Sequence, residues 1–213
     1  DLAHTTWDET QVIAFEHNAD ALAAFRMASD LDATGQAELL EDVLLARWSG
    51  DYFRPGFHLQ NGESTVEIYL DTQSWGLLSL GAENARQHVT ALVDGCERFG
   101  DGTGVLSRDA GIFGFYDFDV VWESHPHGRF AWTEGTQGVA LALDRMAALG
   151  SGVPCGFETA TSLRAETERM EAPGLPGARA EASLSPDGPY RIIPSLSATV
   201  WTYFSLHGVN PFQ

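Results

Sequence analysis

The chain has 213 residues, of which 44% are hydrophobic and 20% charged, which is enough for one globular domain with a sizeable core. Thirty acidic residues against twelve basic ones give a formal net charge of −18, and every basic residue is an arginine. A chain of this charge repels phosphate backbones, so nucleic acid is not an expected partner. The sequence has no run of about eighteen apolar residues, so no membrane span is expected.

Neither the cysteines nor the first residue identifies a cofactor or a location. Cys96 and Cys155 lie far apart without a CxxC pair or a Cys/His cluster, so no structural zinc, other metal or cofactor is expected. Export would allow them to pair, and the sequence leaves this open. The chain begins at Asp1 without a methionine, which is typical of a processed, trimmed or partial polypeptide and leaves an exported or periplasmic location open.

Apolar residues at helical spacing, bounded by polar caps and glycines, predict a mainly α-helical fold. In chain order the predicted helices are Thr5–Leu31, Ala33–Trp48, Asp71–Gly81, Glu83–Phe99, Thr133–Leu149, Thr159–Met170 and Ser195–His207. Small β-elements are expected between them: a hairpin over Tyr52–Tyr69 that turns at Asn61-Gly62, an alternating aromatic run over Gly111–Trp122, and a short strand over Ala180–Leu184.

Four of the predicted helices begin in the same way. Those that start near Thr6, Asp71, Thr133 and Ser195 follow one another at intervals of about sixty residues. Each has a polar cap and a nearby tryptophan, which are Trp7, Trp75, Trp132 and Trp201. This period indicates a repeated unit of helix, return helix and end loop, so every first helix starts at the same end of the molecule. The predicted architecture is a helical-hairpin (α/α) toroid whose inner helices line a central cavity.

Acidic residues cluster near the start of the first helix. Glu16 and Asp20 are four residues apart and share a face, with His17 to one side. Like charges at this spacing weaken a helix by a few tenths of a kcal/mol unless something offsets them. This arrangement indicates either a functional site or an ordinary solvated acidic face.

A second candidate lies where the helix after Trp132 begins. Glu134 is favoured there by free backbone N–H groups and the helix dipole, and Gly135 leaves room for a ligand to approach the backbone. Simple N-terminal capping, with Thr133 as the cap, explains the same residues. The recurrence of the pattern at other helix starts favours a site.

Three segments carry a resemblance to a known family: Phe15–Asp20, Tyr69–Gly76 and Trp132–Gln137. They resemble the inner-helix motifs of bacterial (α/α)-barrel, six-hairpin carbohydrate-active proteins, which include inverting glycoside hydrolases, polysaccharide lyases and sugar 2-epimerases. The sequence holds about four hairpins where the family has about six. The resemblance therefore implies that residues 1–213 form one toroid-like domain. This domain is either the C-terminal portion of a larger toroid that another segment or another chain completes, or a toroid that is open.

A glycoside hydrolase needs one protonated carboxylic acid and a second carboxylate. The available carboxylates near the predicted cavity are Glu16, Asp20, Asp71, Asp117, Asp119 and Glu134. Glu134 is the predicted general acid, because Trp132 flanks and desolvates it, and Asp71 or Asp20 is its predicted partner. Hydrogen bonds to sugar hydroxyls are expected from Glu16, His17, Gln73 and Gln137, and stacking platforms from Trp75, Trp122 and Trp132. An acidic, aromatic cavity suits an oligosaccharide or polysaccharide that is neutral or cationic.

Two other functions stay open. A lyase or epimerase would abstract a proton with a His or Tyr base, and the candidates are His17, His58, His125 and His127. A uronate-cleaving lyase also needs cationic clamps, for which Arg54 and Arg129 are available. The third possibility is a non-catalytic glycan-binding or scaffold toroid, in which the carboxylates only hydrogen-bond ligand hydroxyls.

Overall fold

The computed structural model describes residues 12–28, 34–50, 52–58, 69–92, 130–151, 159–168, 171–172, 174–183 and 191–213. This part of the chain is mainly helical, with small antiparallel strands. The helices are α1 (Phe15–Met27), α2 (Thr34–Leu45), α3 (Leu70–Ser79), α4 (Ala82–Gln87), α5 (Thr133–Ala148), α6 (Ala160–Glu168) and α7 (Leu196–His207). The strands are β1 (Val12–Ala14), β2 (Gly56–His58), β3 (Phe130–Ala131), β4 (Arg179–Ser183) and β5 (Arg191–Ser195).

Most predicted helices are confirmed, and their ends move by only a few residues. The first helix was predicted over Thr5–Leu31, and this was wrong at Val12–Ala14, which forms strand β1 before the helix begins at Phe15. Residues 5–11 lie outside the described part of the chain. β1 pairs antiparallel with β2, with Ile13 opposite Phe57. The β-branched pair Val12-Ile13 favours this extended pairing over a helical turn.

Several other predictions fall partly or wholly outside the described residues. The Asn61-Gly62 turn, the run Gly111–Trp122 and both cysteines lie there. The helix predicted over Glu83–Phe99 is shorter within the described residues, since α4 ends at Gln87 and a turn precedes further helical residues at 90–92.

The odd-numbered helices form a row in which each packs against the next: α1 on α3, α3 on α5, and α5 on α7. Three side chains show that the C-terminal ends of these helices lie together. Arg26, near the end of α1, donates to the Ser79 carbonyl, and Arg145, in the last turn of α5, donates to the carbonyls of Leu77 and Leu80. Asn210, just after α7, donates to the Leu78 carbonyl at 2.9 Å. The four helices therefore run parallel.

An aromatic layer fills the centre of the row. Trp75 of α3 stacks on Trp201 of α7 with ring centroids 5.2 Å apart, and Phe212 from the C-terminal tail packs on both rings. Gly138 of α5 lets α3 and α5 approach closely, because a Cβ there would lie 3.0 Å from the Ser74 hydroxyl. The row is thus held by tight packing at its middle.

A three-stranded antiparallel sheet, in the order β3-β4-β5, leads into two of the helices. β3 precedes α5 and β5 precedes α7, so both helices start beside this sheet. Thr133 fixes the start of α5, because its hydroxyl donates to the Ala180 carbonyl of β4 at 2.7 Å. The strand predicted over Ala180–Leu184 is confirmed as β4, whereas β3 and β5 were not predicted. β3 has only two residues, and Pro194 weakens the strand signal of β5.

Among the described helices, none combines the length and apolar character that crossing a lipid bilayer requires.

Candidate functional site

The starts of α1, α3 and α5 share one local structure. Each is preceded by a residue in an extended conformation, which is Ala14, Tyr69 or Trp132 respectively, and none of these residues caps the helix through its side chain. The second helical residue is a carboxylic acid in all three: Glu16, Asp71 and Glu134. Free N–H groups at a helix start favour negative charge, which explains the acids at these positions.

Helix α7 begins differently, although it belongs to the same row. Ser195 caps it, because the serine hydroxyl accepts a 3.1 Å hydrogen bond from the Ala198 N–H. Its second residue is Ser197, which carries no charge. The predicted capping role of Thr133 at α5 was wrong, since Thr133 is the first helical residue and bonds β4 instead. Carboxylates therefore occupy the starts of three of the four helices.

Asp71 is the most deeply buried of these acids, with 7% of its surface exposed. One carboxylate oxygen, Oδ1, accepts hydrogen bonds from the Thr72 N–H at 2.6 Å and the Thr72 hydroxyl at 3.3 Å. Burial, followed by the nearby carboxylates of Glu16 and Glu134, raises the pKa of Asp71 to about 7 against the opposing effect of the Thr72 bonds. Asp71 therefore carries a proton for much of the time near neutral pH.

Glu16 and Asp20 form the outer part of the cluster. Glu16 is half-buried and its pKa is raised, first by burial and then by Asp20 and Glu134, while His17 opposes the shift. Asp20 is exposed, and partial burial raises its pKa against the effect of His17. The electrostatic influence of Glu134 on both Glu16 and Asp71 shows that carboxylates from three separate helices lie near one another.

The structure changes which of the two acids, Glu134 or Asp71, is the more strongly desolvated. Trp132 is buried as expected, and its ring folds over the first turn of α5, where a Cβ at Gly135 would lie 2.3 Å from the ring. Glu134 itself stays half-buried. Desolvation is strongest at Asp71, because α1 and α5 cover the start of α3 from both sides. Asp71 thus has the raised pKa that the sequence predicted for Glu134.

The two glutamines expected to bind sugar hydroxyls are fully buried and bond the protein itself. Gln73 accepts from the Phe53 N–H at 2.8 Å and donates to the carbonyls of Phe53 and Tyr69. Gln137 donates to the Leu163 carbonyl at 3.3 Å and to the Thr167 hydroxyl. Both amides thus bond buried backbone and hydroxyl groups, and the binding role expected of Gln73 and Gln137 stays a prediction.

The tryptophan and histidine candidates differ in their exposure to solvent. Trp75 is 6% exposed and stacked on Trp201, and Trp132 is similarly buried on its own helix, so the sugar-platform role expected of them stays a prediction. His17 is exposed beside the acidic cluster. Arg54 is exposed in the segment that leads to β2. The remaining candidates lie outside the described residues or have no described side chain: Trp122, Asp117, Asp119, His58, His125, His127 and Arg129.

Thr72 was not predicted as a site residue, although it contributes both hydrogen bonds that Asp71 accepts. A threonine after an aspartate near a helix start is a weak signal, because the same pair is common in ordinary caps. The described residues contain no group of three or more His, Cys, Asp and Glu side chains arranged to hold a metal ion.

Comparison of the chain with protein-family models, curated proteins and solved structures gave no match.

Proposed function

We propose that this chain is a carbohydrate-active enzyme, an inverting-type glycoside hydrolase that works with carboxylates at the starts of α1, α3 and α5. The observation that carries the proposal is Asp71, a buried acid with a pKa of about 7 beside two further carboxylates. A pair of acids whose environments separate their pKa values is the arrangement that acid and base catalysis by carboxylates requires.

Asp71 donates the proton in the proposed reaction. The proton passes to the glycosidic oxygen as the bond between that oxygen and the anomeric carbon breaks. Glu134, half-buried on the neighbouring helix, accepts a proton from the water that attacks the anomeric carbon from the opposite face. The two roles are the reverse of those predicted from sequence, because burial falls on Asp71.

Glu16 supports the proton on Asp71, since its negative charge raises the pKa of that carboxyl. Asp20 and His17 lie further along α1 and are exposed, which suits contacts with sugar hydroxyls. Among the described groups that shift the pKa values of Glu16, Asp20 and Asp71, His17 is the only basic residue. This excess of negative charge favours a neutral or cationic glycan over a uronate.

The proposed architecture is an (α/α) toroid, of which residues 1–213 form one part. The parallel row of α1, α3, α5 and α7 supports it, with α2 packed on α1 and α6 packed on α5 as return helices. In such a toroid the odd helices are the inner ones, and their N-terminal ends form the rim where substrate binds.

A second candidate function is proton abstraction by His17, as in a lyase or epimerase. The exposed position of His17 favours it, because the side chain is open to solvent and close enough to Glu16 and Asp20 to affect the pKa values of both carboxyl groups. A non-catalytic glycan-binding role is the third.

One experiment separates the three. The full chain is incubated with panels of neutral, amino and uronate oligosaccharides, and products are followed by carbon and proton NMR, which also gives the anomeric configuration. We expect Asp71→Asn and Glu134→Gln each to lower turnover of a neutral or amino glycan by about 10²–10⁴-fold. The exposed acid Asp42 of α2 gives the control, since Asp42→Asn should leave the rate unchanged.

Three results would count against an inverting hydrolase. Unsaturated or epimerised products that are lost in His17→Ala and kept in Asp71→Asn would establish proton abstraction instead. Glycan binding without any product would establish a binding protein. Products with retained configuration would exclude the inverting mechanism.

A further inference from the structure

We propose that two copies of this chain pair through the outward face of α7, helix against helix and antiparallel. The face consists of Leu196, Val200, Tyr203 and His207, which we name the α7 seam. The first three are 81%, 38% and 58% exposed, and His207 is exposed as well. This inference concerns a surface away from the carboxylates and does not depend on the proposed reaction.

The opposite face of α7 is already used. Ala198, Trp201, Thr202 and Ser205 are buried against the rest of the row, and the helix packs on α5, α6 and β4. A helix that needs only one buried face is normally polar on the other. α7 instead contains no acidic residue and no arginine, in a chain with a net charge of −18. Its second face is therefore suited to burial.

The spacing of the seam indicates that a helix covers it. Successive residues are separated by four, three and four positions, which is the spacing of the a and d positions in a pair of packed helices. Tyr203 and His207 are already in contact, with ring centroids 4.4 Å apart, so the side chains form a continuous surface. Exposed Leu206 lies on its flank and extends the apolar area.

A second copy of the chain matches this pattern. The four-three-four spacing reads the same from either end, so an antiparallel copy presents the same residues in register. Leu196 then faces His207 of the partner subunit, and Val200 faces Tyr203 of the partner subunit. A twofold interface requires a self-complementary patch of this kind. Elsewhere two copies repel each other through their acidic surfaces, whereas the seam carries no acid.

The position of α7 in the row agrees with this. α3 and α5 each have a helix of the row on both sides, whereas α7 packs mainly on α5, and its Trp201 ring also stacks on Trp75 of α3. A copy on the seam packs a further helix on the outward face of α7, antiparallel to the helices of the row. The carboxylates lie at helix starts in each chain, and the antiparallel pair directs the two sets in opposite directions.

Cross-linking tests the orientation of the pair. Leu196→Cys and His207→Cys are made separately in full chains that also carry Cys96→Ser and Cys155→Ser, and both target positions are exposed, so folding should be unaffected. A mixture of the two chains should form disulfide-linked dimers on mild oxidation. Leu196→Cys alone should not, because the two copies of that residue lie about 16 Å apart in an antiparallel pair, well beyond disulfide reach. Linkage of Leu196→Cys alone as complete as that of the mixture would overturn the antiparallel arrangement.

Sedimentation equilibrium tests the association itself. The unmodified chain should change from monomer to dimer as its concentration rises through the micromolar range. Tyr203→Glu should weaken the dimer by about a hundredfold, because it places like charges against each other near the twofold axis. Leu39→Glu, at a 56% exposed position of α2, is the matched control and should leave association unchanged. Circular dichroism checks that both variants are folded. A monomer at all concentrations, or equal effects of the two substitutions, would overturn the proposal.

Discussion

The two ends of the helix row use charge in opposite ways. At the C-terminal end each charged group has a partner: Arg26 pairs with Glu41, and Glu41 accepts from the Gly81 N–H at 2.7 Å and from Asn84 at 2.8 Å. At the N-terminal end carboxylates lie near one another, so that Glu134 helps to raise the pKa of Glu16, and Glu16 and Glu134 help to raise the pKa of Asp71. The first arrangement stabilises the fold, whereas the second costs stability.

The pKa values make the same distinction. Burial tends to raise the pKa of Glu41, but hydrogen bonds from Asn84 and Gly81 together with Arg26 outweigh it and lower that pKa. At Asp71 the Thr72 bonds do not outweigh burial, and the pKa rises to about 7. A cluster of carboxyl groups with raised pKa values, at one end of a fold whose other end pairs its charges, is typical of a functional site.

The largest effect on stability is expected from Arg145 at the C-terminal end. Arg145→Leu should lower the free energy of unfolding by about 3–5 kcal/mol, because it leaves the carbonyls of Leu77 and Leu80 without their donor. The control is Arg86→Leu, since Arg86 is exposed and its loss should change stability by only about 0.5 kcal/mol. Chemical denaturation measures both. Equal losses would show that the C-terminal end is not specially stabilised.

Asp71→Asn should act in the other direction. An asparagine keeps the acceptor for the Thr72 N–H and removes the buried charge, so stability at about pH 8 should rise by about 2–4 kcal/mol. At about pH 4 the gain should vanish, because native Asp71 is protonated there. Asp42→Asn, at an exposed position, controls for net charge. A loss of stability in Asp71→Asn at the higher pH would contradict the comparison between the two ends.

Glu41→Gln should give a pH dependence of opposite sign. The folded-state pKa of Glu41 is lowered, so its contribution is present above the unfolded pKa and disappears as pH falls through the folded pKa. For Asp71 the folded-state pKa is raised, so stability falls as pH rises from about 4 to about 7. Glu41 is partly exposed, so we expect Glu41→Gln to cost only about 1–2 kcal/mol near neutral pH. Relative to the unmodified chain, Glu41→Gln should therefore lose stability as the pH rises toward neutral, whereas Asp71→Asn should gain stability over the same range. Parallel profiles would remove the distinction.

The smallest effect is expected at Thr72. Thr72→Val keeps the backbone N–H bond to Asp71 and removes only the 3.3 Å hydroxyl bond. The pKa of Asp71 should rise further by a few tenths of a unit, since that bond favours the ionised form. Thr136→Val, which removes the hydroxyl of another buried threonine, in α5, is the matched control. The midpoint of the pH–activity profile on its alkaline side reports the shift, and a shift toward lower pH would contradict it.

Sequence reasoning located the helix starts well but not the environment of their side chains. The helices at Leu70, Thr133 and Leu196 were expected because caps, apolar spacing and glycines are local signals. Val12–Ala14 was expected as helix, because its pairing with Gly56–His58 joins residues far apart in the chain. A short strand that is fixed by a distant partner leaves little trace in local spacing.

The site shows the same limit. Glu16, Asp71 and Glu134 were all identified as candidate site residues, and their electrostatic proximity depends on three helices starting at one end. Which acid is desolvated depends on how closely α1 and α5 cover α3, and that packing is not encoded in the neighbours of Glu134. Likewise, the Gln73 amide forms hydrogen bonds with the backbone of Phe53, which is remote in sequence.

Asp71 should hold a proton near neutral pH, and the titration of its own carboxyl group tests this most directly. Carbon NMR of selectively labelled aspartate carboxyl groups, assigned by comparison with Asp71→Asn, gives the pKa of this side chain in the folded chain. We expect a midpoint at about 7 for Asp71. A midpoint at about 4, the usual value for an exposed aspartate, would contradict both its role as proton donor and the contrast between the two ends of the row.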